Sequence, residues 1–224
     1  EFNKMSEQIR QLVDQVYREQ RAKRKSELAA LQAQINPHFL YNTLNSVSSL
    51  IKMNCPDEAF IMIQAIGTFY RTSLSDGKTL IPLEQEITNI ENYIKIQKVR
   101  YGNKIEYEID IENEILQEWI VKLTLQPLVE NSIYHGIKEM RGKGIIRIKG
   151  WKEKNKVFIQ VSDNGLGIPE EKLEELFSKD YREKGSAFGL FNIQQRLQIY
   201  FGKEYGLTVE SKLSQGTKAT VCIP

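Results

Sequence analysis

The chain has 224 residues, 41% of them apolar and 27% charged, and a formal net charge of +2; this composition excludes a disordered chain and gives no bulk electrostatic reason to expect nucleic acid as a partner. Two cysteines without CxxC or Cys/His spacing and only two histidines leave little for a metal site and fit a reducing, cytoplasmic setting. No apolar run approaches the ~20 residues that span a bilayer, so any membrane contact is expected only through segments outside this sequence, which starts without methionine.

Phe2, Met5, Ile9, Leu12 and Val16 repeat at alternating three- and four-residue spacings, the seam of a short coiled-coil linker over 1–27. Arg21, Lys23, Arg24 and Lys25 interrupt that seam as a solvated face. Leu28, Leu31 and Ile35 resume the helical pattern, and Pro37 is expected to kink it just before His38. A break at Asn54-Cys55-Pro56-Asp57 precedes a second helix over 58–74, which stops at Ser75-Asp76-Gly77. Two helices joined by a short turn cannot bury an apolar face alone, so a homodimeric four-helix bundle is expected. A third helix over 83–100 follows Pro82.

Beyond Gly102 the texture changes. Residues 105–111 alternate apolar and polar, as a half-buried strand does. A helix is expected over 123–137, a strand pair over 145–151 and 157–161, helices over 170–177 and 189–201, and closing strands over 207–211 and 217–223. The fold class is therefore α+β, with one mixed sheet covered by helices on one face. The expected divisions are a linker over 1–27, dimerisation and phosphotransfer helices over 28–102, and an α/β sandwich over 103–224.

Three glycine-bearing segments in the second half carry chemistry: Asp163-Asn164-Gly165-Leu166-Gly167, Gly185-Ser186-Ala187-Phe188-Gly189 and Gly216-Thr217. Glycine after a strand lets backbone approach a ligand, and glycine before a helix exposes amides at the positive end of its dipole. Each alone reads as a turn. There is no GxxxxGK(S/T) and no GxGxxG after a first strand, so neither the P-loop nor the dinucleotide route is available.

Together with Gln126-Pro127-Leu128-Val129-Glu130-Asn131-Ser132-Ile133-Tyr134-His135-Gly136, these segments resemble, in order, the N box, two glycine boxes and last box of the GHKL ATPases. With Asn192 and Gln195-Arg196-Leu197 they look like the catalytic domain of LytS/YesM-like histidine kinases. The run Gln34-Ile35-Asn36-Pro37-His38-Phe39-Leu40-Tyr41-Asn42-Thr43-Leu44-Asn45 resembles that family's phosphoacceptor helix. The resemblance covers about residues 28–224.

It implies a sensor kinase core that phosphorylates His38 with ATP and Mg²⁺ and passes the phosphoryl group to an aspartate of a response regulator receiver domain. It further implies that Asn131 coordinates Mg²⁺ and that Glu130 supports the metal or acts as a base. Asp163 would accept from the adenine amino group, Gly165 and Gly167 would give the ring room, and Thr217 would bond near the adenine. Gly185 and Gly189 would bound a flexible lid. His135 reads as a structural or phosphate-neighbouring residue. The family usually has lysine where Tyr134 stands, and Lys138, one turn later, could replace its charge; Ala187 replaces a lid glycine.

Leu31, Ile35, Phe39 and Leu40 mark the buried stripe of the first helix, with His38 at its edge, where a neutral imidazole keeps one nitrogen free to attack phosphorus. Phe39 offers no adjacent base, so the proton is assigned to Glu130. Two other readings remain, an ATP-binding dimeric scaffold that transfers nothing and a clamp-type ATPase. The joint retention of His38 and the Glu130-Asn131 pair favours the kinase.

Overall fold

The structure, a computed structural model, describes residues 37–73, 78–175 and 188–224. The coiled-coil linker, the stretch leading to Pro37 with its expected kink, and Gly185 and Ala187 of the lid lie outside the described residues. The chain divides into two units, Glu1–Asn45 and Ser46–Pro224. The described part of the first is the opening of helix α1 (Pro37–Lys52), with His38 in its first turn.

Helix α1 ends as helices do when a residue can adopt left-handed backbone. Asn54 has φ 58°, Cys55 N–H donates to Leu50 O at 2.9 Å and Asn54 N–H to Ile51 O at 3.1 Å. This is the paired six-to-one and five-to-two pattern that satisfies the last carbonyls. Helix α2 (Pro56–Ser73) opens on proline with Asp57 and Glu58 in its first turn and Arg71 in its last, complementing the helix dipole. Ala59, Met62, Ala65 and Phe69 form its buried stripe, and Phe69 packs on Tyr93 of helix α3 (Leu83–Tyr101) with ring centroids 5.9 Å apart.

Helix α3 buries apolar residues at Leu83, Ile87, Ile90 and Ile94, and also polar ones at Glu86, Asn89 and Gln97. Just before it, β1 (Leu80–Pro82) pairs antiparallel with β3 (Trp119–Val121). That two-stranded ribbon was not expected, because three residues are too few for alternation to register.

The main sheet has five strands in the order β2-β4-β5-β7-β6. They are β2 (Ile105–Ile111), β4 (Gly144–Glu153), β5 (Lys156–Asp163), β6 (Gly206–Lys212) and β7 (Gly216–Ile223). The pair β2–β4 is parallel and the others antiparallel, the mixed sheet that interspersed strands and helices imply. A parallel pair needs a crossover, here supplied by β3, helix α4 (Gln126–Asn131) and its π-helical continuation (Ser132–Ile137). Every second residue of the central strands is buried: Ile146 and Ile148, Val157, Ile159 and Val161, and Ala219, Val221 and Ile223. The α4 segment and helix α6 (Phe188–Phe201) add Leu128, Val129, Ile133, Ile137, Ile193 and Leu197 to this core.

The helix expected over 123–137 starts later, at Gln126. Leu123 sits in the left-handed region at φ 59°, which no helix continues through.

Candidate nucleotide site

Helix α4 is held at its start by residues from two other helices. The fully buried Glu86 carboxylate accepts Leu123 N–H at 3.1 Å and Leu125 N–H at 3.0 Å. It thus satisfies amides that the helix start leaves unpaired. From the other side the Arg196 guanidinium donates to Leu123 O at 3.4 Å and to Lys122 O. Burial pushes the Glu86 carboxyl up, opposed by those amide bonds, and burial lowers Arg196, opposed by the Glu86 charge.

Past Asn131 the helix widens: Lys138 N–H reaches Ile133 O at 2.9 Å, five residues back. On one side of this segment Leu128, Asn131, Ser132, His135 and Gly136 line a cavity of about 280 Å³. Val161, Asp163, Val209, Thr217 and Ala219 come from the sheet, and Gly167, Ile168, Pro169 and Lys172 from the loop and short helix α5 (Glu170–Glu175). Gly189 and Leu190 of α6 complete the wall.

Asp163 is the charge at the centre of this wall. Its Oδ2 accepts from Ser132 Oγ at 2.8 Å, its Oδ1 from Gly165 N–H at 2.9 Å, and Thr217 N–H also bonds it. Burial raises its pKa above the usual aspartate range, and these three donors pull against that rise. Glycine is required around it. A Cβ on Gly136 would stand 2.8 Å from Asp163 Oδ1, and one on Gly165 would stand 2.4 Å from Gly136 Cα.

Of the residues singled out in the sequence, Asn131, His135, Asp163, Gly167, Gly189 and Thr217 meet at the cavity. Gly165, Glu130 and Lys138 are not among the lining residues. Gly165 packs chain against chain, and Leu166 N–H donates to Gly136 O at 3.0 Å beside it. Glu130 lies on the α3 side, where its Oε1 accepts from Gln126 Nε2 at 2.8 Å. Burial raises its pKa, and the Gln126 bond opposes the rise. Lys138 has its Nζ 3.8 Å from Glu139 Oε1. The Tyr134 hydroxyl, where the family places lysine, accepts from Arg100 Nη1 at 3.4 Å.

Sequence reading missed Ser132 and Lys172. Ser132 follows Asn131 directly and carries no motif signal, while Lys172 was one more charge on a surface helix. No group of three or more His, Cys, Asp or Glu residues capable of holding a metal occurs among the described residues. A cation here would depend on the Asn131 amide together with phosphate and water oxygens, which suits the preferences of Mg²⁺.

Both halves of the chain match known proteins. Residues 26–105 match the family model "Histidine kinase", and residues 120–224 match "Histidine kinase-, DNA gyrase B-, and HSP90-like ATPase". The chain is 36% identical to sensor histidine kinase YesM of Bacillus subtilis over 223 residues, covering 100% of this chain and 37% of that protein. It is 37% identical to sensor protein LytS of Bacillus cereus, covering 89% of this chain and 34% of the relative. It is 38% identical to sensor histidine kinase YpdA of Escherichia coli, again covering 89% and 34%. The chain thus spans about a third of the length of these relatives. Among solved structures, the catalytic domain of histidine kinase ThkA superposes with a TM-score of 0.51 at 21% identity, covering 66% of this chain and 98% of that one, a likeness of fold. The chain belongs to the histidine kinase family, in the group of YesM- and LytS-like sensor kinases, and its second half has the fold of the ATPase domain shared with DNA gyrase B and HSP90.

Proposed function

We propose that this chain is the autokinase core of a two-component sensor, working on the cytoplasmic side of a membrane protein. ATP occupies the cavity and His38 receives its γ-phosphoryl group. The observation that carries the reading is the Asp163 carboxylate, held at the cavity wall by three donors and walled by glycine. An acceptor-only group so placed selects a ligand that presents N–H, as the adenine amino group does.

In the transfer, a lone pair of the neutral His38 imidazole attacks the γ-phosphorus and the bond to the bridging oxygen breaks, releasing ADP. The ring N–H proton is released to water, since the Glu130 carboxylate chosen for it from the sequence lies outside the cavity lining and accepts from Gln126 on the α3 side. Asn131 would hold Mg²⁺, which neutralises charge on the phosphates. His135 and Lys172 line the same cavity; we assign them to the phosphate end. The phosphoryl group then passes to an aspartate of a receiver domain.

A homodimer is proposed from the apolar side chains that α1 and α2 leave exposed, among them Ile51, Phe60 and Ile63. No helix among the described residues is long and apolar enough to cross a membrane.

The deciding experiment incubates the 224-residue chain with γ-labelled ATP and Mg²⁺ beside His38→Gln and Asn131→Ala variants. Acid-labile, alkali-stable label that vanishes in both carries the reading; label surviving in His38→Gln overturns it. ATP binding with no label in any form would return the chain to the scaffold reading.

A further inference from the structure

Arg196 belongs to the run Gln195-Arg196-Leu197 that the sequence singled out, yet it is not among the cavity-lining residues. It follows Gly189 on α6 by about two helical turns, and so lies on the side of the helix that borders the cavity at Gly189. There its half-buried guanidinium meets the loop that starts α4, and Glu86 meets the same loop from α3.

The two charges take opposite ends of one stretch of backbone. In the peptide unit between Lys122 and Leu123, the carbonyl accepts from Arg196 Nη2 and the N–H donates to Glu86 Oε2 at 3.1 Å. The next carbonyl, Leu123 O, accepts from Arg196 Nη1 at 3.4 Å, and Leu125 N–H donates to Glu86 Oε1 at 3.0 Å. Hydrogen bonds to charged groups are stronger than neutral ones, and a peptide with a cation at its oxygen and an anion at its N–H is oriented from both ends. Between them Leu123 keeps its left-handed φ of 59°, a conformation that a leucine holds only where its surroundings fix it. Glu86 is fully buried, so its charge depends on these amides and on the Arg196 charge.

The loop hands this arrangement on to the cavity. Leu125 O accepts from Leu128 N–H and Val129 N–H, both at 3.1 Å, and Leu128, Asn131 and His135 of that helical segment line the wall. The α6 share of the wall, Gly189 and Leu190, stands on the helix that carries Arg196. Two parts of one wall are therefore joined at a point outside the cavity.

We infer that Glu86 and Arg196 are a positioning pair for the nucleotide site: held between their opposite charges, the 122–125 backbone fixes the α4 part of the cavity wall against the α6 part. The inference rests on the reading that ATP occupies this cavity, and not on His38 as the acceptor.

The test measures ATP affinity by calorimetry, with Mg²⁺ present, on the 224-residue chain and on Arg196→Met, Arg196→Lys, Glu86→Gln and the Glu86→Gln/Arg196→Met double variant. Thermal unfolding of each is recorded beside it, so that affinity refers to folded protein. Arg196→Met keeps an apolar stem without the donors, and its Kd should rise about tenfold. Glu86→Gln keeps the shape without the charge and should give a rise of similar size. Because both side chains act on the same peptides, the double variant should bind no worse than the weaker single one. Arg196→Lys, which keeps the charge, should bind more tightly than Arg196→Met. A role in stability alone would lower the melting temperature and leave Kd in place, so an unchanged Kd in Arg196→Met overturns the inference. Single effects that add in full, or a lysine variant as weak as the methionine one, overturn it too. Should Arg196→Met not fold, Glu86→Gln decides by the same criterion. His38 labelling of the unmodified chain separates the two readings: shifted Kd values without label remove the kinase and leave the pair, label with unshifted Kd values does the reverse, and a chain that binds no ATP overturns both.

Discussion

The two N-terminal helices and the sheet domain treat apolar side chains in opposite ways. Along α1 and α2 and the turn between them, Tyr41, Ile51, Met53, Phe60, Ile61 and Ile63 are each more than half exposed. In the sheet, Ile146, Ile148, Val157, Ile159 and Val221 are completely buried. The difference teaches where each region finds its stability. The sheet and its helices close a core within one chain, and alternation along each strand is enough to aim the side chains inward. The helices present a surface of the kind a second copy covers, so on our proposal this region is finished only by association.

The sharpest way to break that comparison is to remove one function and watch the other. His38→Gln is expected to abolish phosphoryl label while nucleotide still binds. Asn131→Ala should lower labelling by about a hundredfold or more, as loss of a group acting on transition-state charge does. If His38→Gln also lost nucleotide binding in a fluorescence titration, the two regions would not be separable.

The next largest effect concerns association. Phe60→Asp with Ile63→Asp should weaken self-association by about a hundredfold or more, since each exposed side chain contributes about 1.5–3 kcal/mol when buried. Sedimentation would show a monomer, and thermal unfolding of the sheet domain should not move. Unchanged dimer would sink the bundle.

Within the sheet domain, Gly165→Ala forces a Cβ to 2.4 Å from the Gly136 backbone. A destabilisation of about 2 kcal/mol is expected in denaturant melts, with self-association intact.

The smallest effect is electrostatic. Asp163 must be ionised to accept from an N–H ligand, and its pKa lies above the usual aspartate range. Nucleotide affinity should therefore fall as pH drops through that raised midpoint and be regained as pH rises. Asp163→Asn should cost about tenfold in affinity at neutral pH and flatten this dependence, measured by calorimetry across the acidic range. A pH dependence that persists in Asp163→Asn would assign it to another group.

How much of this was legible in advance varies with the range of the interactions. The third helix was read at 83–100 and spans Leu83–Tyr101, because its apolar spacing and the proline before it are local signals. The strand at Ile105–Ile111 announced itself by alternation. The ribbon of Leu80–Pro82 with Trp119–Val121 did not, since its pairing joins residues about forty apart in the chain. Leu123 broke the expected helix because the buried Glu86 takes the amides on either side of Thr124, a bond from a different helix.

By itself the sequence determined the chemistry on offer: a histidine on an amphipathic helix, an Asp-Asn-Gly turn after a strand, an Asn on a helix before it, and the order in which they come. Those are properties of neighbouring residues. Only the tertiary structure decided which of them share a wall. Glu130 and Asn131 are adjacent in the chain, yet successive residues on a helix point about 100° apart. Asn131 therefore faces the cavity with Asp163, while Glu130 turns to α3 and a hydrogen-bond chain that ends on Thr72.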